Sequence, residues 1–112
     1  MFNFLKRKKK ESESAKFHFN EIILKTMSDE AIKCEDINVY FSGTNEHDIA
    51  SRVTHDGIRS AMIKIGYIFS YANIVSSKLS FEGAIRLELN KVLCGNGVQC
   101  DRVSIQNISK IW

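Results

Sequence analysis

Residues 59–71 read RSAMIKIGYIFSY, and the fold turns on how that stretch is taken. Ile63, Ile65, Tyr67, Phe69 and Tyr71 recur at every second position, the period of a strand with one buried face, and β-branched and aromatic residues suit a pleated surface. The reading predicts a central strand here.

Working outward, FHFNEIILKTM (17–27) reads as a first strand, SDEA as a turn or one helical turn, and EDINVYF (35–41) as a second strand with Ile37, Val39 and Phe41 on one side. SGTNEHDIASRVTHDG follows, where Thr44 or Asn45 can cap a short helix carrying Ile49, Ala50 and Val53 on one face until Gly57 stops it. A rival reading makes His55-Asp56-Gly57 a hairpin turn. SFEGAIRLELNKVLCGNG predicts the best helix, with Ser80 as cap, Ala84, Leu87 or Ile85, Leu89 and Val92 or Leu93 buried, and Gly95 or Gly97 as left-handed stop. In VQCDRVSIQNISKIW alternation breaks once, which places a bulge near Asp101-Arg102 of a last strand. The expected class is α+β, a small single domain with a mainly antiparallel sheet and about two helices in the order β-β-α-β-α-β.

Charge divides the chain in two. Of 16 basic and 13 acidic residues, Lys6, Arg7, Lys8, Lys9 and Lys10 stand together in the first fifteen against Glu11 and Glu13. The remainder, 16–112, is formally neutral, so the excess argues against a folded basic surface for nucleic acid. Residues 1–15 are expected to form a disordered basic tail and 16–112 one domain. Beside the cations, Phe2, Phe4 and Leu5 supply short apolar anchors, and the two together could hold a protein on an anionic membrane surface. A solvated arm is the plainer reading, and phosphate contact with nucleic acid the third.

No apolar run after Lys10 suits a secretory signal, and the greasiest stretch, residues 65–75, is broken by Ser70 and Asn73. Three cysteines, Cys34, Cys94 and Cys100, fit reduced thiols. The expected location is the cytoplasm, or the inner face of the membrane.

Candidate chemistry is sparse. His47-Asp48 and His55-Asp56 repeat a pair eight residues apart, which on one helix would set the imidazoles about 80° apart. Helical metal pairs sit three or four apart, so His47 and His55 rank below exposed polar residues as an explanation. Cys94 and Cys100 are spaced too widely for a zinc knuckle and read as core residues, with a thiol switch as the alternative. No cofactor is expected. Ile111 and Trp112 offer an apolar anchor for a partner.

Residues 82–108, a helix ending in glycine that leads into a strand of valines and isoleucines, resemble the end of band-7 (stomatin/prohibitin) domains and the ring-building modules of secretion and sporulation machines. They lack the arginine-bearing approach usual in band-7 helices, and their spacing is generic. The resemblance implies membrane-associated assembly domains. The function expected is a non-enzymatic interaction or assembly module, binding a protein partner or itself, with a tethering tail. The alternative is a small metal-binding or hydrolytic regulator using the two His-Asp pairs.

Overall fold

The polar turn after the first strand closes a hairpin. Thr26 N–H donates to the Glu30 carbonyl at 2.9 Å, Asp29 N–H returns to the Thr26 carbonyl at 3.0 Å, and Asp29 takes the left-handed conformation that aspartate tolerates. This turn joins β1 (Glu13–Lys25) to β2 (Ala31–Gly43) in antiparallel register. The computed structural model describes residues 13–43, 49, 52–93 and 97–111. Its first strand begins at Glu13, so Glu13 to Ala15 pair with β2 across residues 41–43.

The third strand, β3 (Val98–Lys110), lies antiparallel on the far side of β2, giving the sheet order β1-β2-β3. Pairing shifts between Tyr40 and Phe41, which face Arg102 and Cys100, so Asp101 is the extra residue of a bulge where broken alternation predicts one. A second irregularity crosses the whole sheet. The core-facing residues change phase between the rung Phe19, Ile37, Ile105 and the rung Ile22, Cys34 and the partly buried Ile108, with no change of register. Asp36, lying between them on β2, has φ 57°.

Residues 59–71 are not the central strand; β2 is. Helix α1 (His55–Gly66) takes most of the stretch, and buries Ile58, Ala61, Met62, Ile65 and Gly66, alternating steps of three and one. Two residues counted toward the strand face, Ile63 and Tyr67, are 40% and 58% exposed. The period-two pattern mixes these outward-facing residues with Ile65 of the helical stripe and with Phe69 and Tyr71, which pack on the core beyond the helix, while Ile58, Ala61 and Met62 complete that stripe. Thr54 caps the helix, its Oγ1 accepting from Gly57 N–H at 2.9 Å. Gly57 therefore lies in a first turn and stops no helix, and His55-Asp56-Gly57 forms no hairpin. Gly66 approaches β1 closely, since a Cβ there would meet Leu24 and the Lys25 carbonyl at 3.4 Å. Of the helix expected from 44 onward, Val53 N–H bonds the Ile49 carbonyl at 2.9 Å, and most other positions lie outside the described residues.

After α1 come a short helix α2 (Tyr71–Ser76) and α3 (Lys78–Leu93). Among the described residues the order of elements is β-β-α-α-α-β, still an α+β domain on an antiparallel sheet. Helix α3 starts two residues before Ser80, and Phe81, Ile85, Leu89 and Leu93 are buried while Leu87 and Val92 face outward. Gly97 is left-handed, φ 75°, ahead of β3. The helices cover one sheet face, where Phe19, Ile22, Leu24, Ile37, Val39, Phe41 and Ile105 meet Ile58, Met62, Ile74, Phe81 and Ile85 in one core. Among the described residues no helix is long and apolar enough to cross a membrane.

Candidate functional site

An edge strand presents backbone N–H and C=O groups with no strand to bond, and β3 is such a strand. Helix α3 lies along it and aims a polar row at it. Lys78, Glu82, Arg86 and Asn90 recur every fourth residue, so they share one helical face. Lys78 Nζ donates to the Ile105 carbonyl at 2.6 Å, and Glu82 Oε2 accepts from Ile105 N–H at 2.7 Å. At the other end Asn90 Nδ2 donates to the Cys100 carbonyl at 3.0 Å, and its Oδ1 accepts from Cys100 N–H at 2.7 Å. The amide of Asn90 thus imitates a neighbouring strand. Glu82 is buried in the process.

Arg86, the remaining member of the row, makes no hydrogen bond or ion pair among the described residues. It lines a groove of about 240 Å³ with Leu79, Glu82, Gly83, Asp101, Arg102, Val103 and Ser104. Strand direction alternates, so Val103 turns its N–H and C=O the same way as Ile105, toward α3. The edge is closed at Ile105 and Cys100 and open between them. The outer edge of β1 from residue 14 to 24 receives no hydrogen bond from outside the sheet among the described residues.

Three other polar arrangements are built into the domain. The Glu30 carboxylate accepts from Tyr71 N–H at 3.0 Å and from Thr26 Oγ1 at 2.8 Å, with Lys110 Nζ at 3.7 Å. The backbone N–H of Tyr71, then the Thr26 hydroxyl, hold this carboxyl below its ordinary range. Glu88 is lowered in the same way, first by its 2.9 Å bond from Lys64, which ties α1 to α3. On the open sheet face His18 Nδ1 lies 2.8 Å from Asn38 Oδ1, and its Nε2 lies 3.1 Å from Asn20 Oδ1 and 3.7 Å from Asp36. Each is explained by holding turn, helices or strands together.

Most residues singled out in the sequence fall elsewhere. Phe2, Phe4, Leu5, Lys6 to Lys10, His47, Asp48, Cys94 and Trp112 lie outside the described residues. His55 sets its ring at 5.1 Å from Phe17 and 5.0 Å from Phe19, and Asp56 meets Arg59 at 3.4 Å. Among the described residues no group of three or more His, Cys, Asp or Glu could hold a metal. Burial pushes the Cys34 thiol up to about 12 and the Cys100 thiol up to about 11, so neither supplies a thiolate near neutral pH. Ile111 is half exposed and anchored by its N–H to the Ala31 carbonyl at 2.7 Å.

Sequence reading missed the polar row on α3, although its fourfold spacing was visible. The signal to seek was a polar stripe flanking the apolar one, on a helix followed by an edge strand. The chain matches no protein-family model and no curated protein, so the likeness of residues 82–108 to band-7 domains gains no support from comparison.

Proposed function

We propose that the chain is a non-enzymatic protein-interaction or assembly module, and that its basic stretch tethers it to an anionic surface or partner. The observation that carries this reading is the apolar character of the helical layer's outer side. Leu79 is 81% exposed and Val92 70%, and Ile68, Tyr67, Leu87 and Val75 are each more than half exposed. Single exposed apolar residues are ordinary, but Leu79, Leu87 and Val92 on α3, Val75 on α2, and Tyr67 and Ile68 in the turn after α1 offer a partner protein or a second copy apolar area to bury. The tether rests on the sequence alone, on five consecutive cations beside Phe2, Phe4 and Leu5.

Two measurements test the two halves. Sedimentation equilibrium of the full chain and of a Leu87→Ser, Val92→Ser variant should show self-association, or capture of a host protein, lost in the variant with its fold intact. For the tether, co-sedimentation with anionic vesicles should fall steeply from about 50 to about 200 mM salt and vanish when Lys6 to Lys10 become Gln. Replacing Phe2, Phe4 and Leu5 with Ser should also weaken vesicle binding but hardly affect a nucleic acid. Equal, salt-insensitive behaviour of native and Gln-substituted chains would remove the tether from this reading.

A further inference from the structure

The groove between α3 and β3 has a shape that packing does not require. Gly83 sits inside α3, where glycine is less favourable than alanine, and a Cβ built there would meet no atom within 4 Å. No close approach demands the missing side chain. Its effect is to leave space beside Arg86 and the open backbone of Val103. Lys78, Glu82 and Asn90 each bond β3, while Arg86 in the same row bonds nothing among the described residues and is partly withdrawn from water.

We infer that this groove is a binding site for a small ligand bearing a carboxylate or phosphate group. One anionic oxygen would accept from the Arg86 guanidinium, whose planar fork suits both groups, and another from Val103 N–H. The groove's acids do not compete for Arg86: Glu82 is held by Ile105 N–H at 2.7 Å, and Asp101 accepts from Gln99 at 2.8 Å and Ser42 at 3.2 Å. Their charge nonetheless opposes an anion, which sets the expected affinity for a bare ion in the millimolar range. Leu79, at the groove's rim, gives an organic ligand an apolar contact that inorganic phosphate lacks.

Titration of the isotope-labelled full chain with inorganic phosphate, with acetate and with chloride at matched ionic strength tests the site by amide resonances. Phosphate or acetate should move Gly83, Val103 and Ser104 along saturable curves, while chloride should not. A response to only one of the two anions would name the group recognised. Arg86→Gln should weaken binding at least tenfold, and Gly83→Leu should block it by filling the groove, with the remaining resonances in place as proof of folding. Shifts scattered over the surface, an identical response to chloride, or unchanged binding in both variants would overturn the assignment.

Discussion

Ile65 and Glu30 show how single residues divide the work of holding this domain. Ile65 is buried in α1 against the sheet, so Ile65→Asp places a carboxylate without a partner in the core and should cost several kcal/mol, enough to unfold a domain of this size. Loss of the far-ultraviolet and near-ultraviolet circular dichroism at neutral pH checks it. Glu30 acts through charge. Its carboxyl is lowered in the folded state, so its contribution is complete above the ordinary value of 4.5 and is lost as pH falls through the lowered one. Urea midpoints measured from neutral pH downward should therefore fall below about pH 5, and Glu30→Gln should show a shallower fall, with the difference between the two proteins vanishing in strong acid. A gap that persists unchanged in acid would mean that the charge of Glu30 is not what counts.

At the scale of elements, the helical and strand periods compete wherever isoleucines lie close together. Ile63 and Ile65 belong to a strand pattern of five residues, yet Ile58, Ala61, Met62 and Ile65 belong to a helical one that starts before the quoted stretch. The cap at Thr54 tips the balance, because Gly57 N–H needs an acceptor and finds Thr54 Oγ1. A threonine three residues ahead of a glycine was legible; what hid it was treating Gly57 as a helix stop. The hairpin, the bulge at Asp101, the left-handed Gly97 and the buried side of α3 were all readable, because they depend on neighbours in sequence. The groove was not, since it depends on α3 lying along β3, and nothing local records that placement. Gly83 gives a prediction at this scale: Gly83→Ala should raise stability by about 1 kcal/mol in urea unfolding, since the helix gains and no atom is displaced. A destabilised variant would mean that a contact absent from the described residues uses that space.

For the molecule as a whole, the core runs from Ala15 to Ile108, and both outer strands are long, at 13 residues each. Removing residues 1–12 keeps every sheet pair of the described residues and should leave the melting temperature unchanged by calorimetry, whereas removing residues 1–19 also takes Phe17 and Phe19 and should abolish the transition. A large loss on the shorter cut would show that the first residues pack on the domain. The two long edges are treated differently: Lys78, Glu82 and Asn90 of α3 occupy the backbone of β3 at Ile105 and Cys100, and among the described residues nothing from outside the sheet bonds β1 between 14 and 24. In the language of polymer chemistry the folded chain is a monomer with one reactive end and one partly blocked end. A strand added along β1 can join two copies into one wider sheet, whose two ends are then both β3, and a further strand arriving there meets α3 side chains already bonded to Cys100 and Ile105, which hinders growth into a fibre.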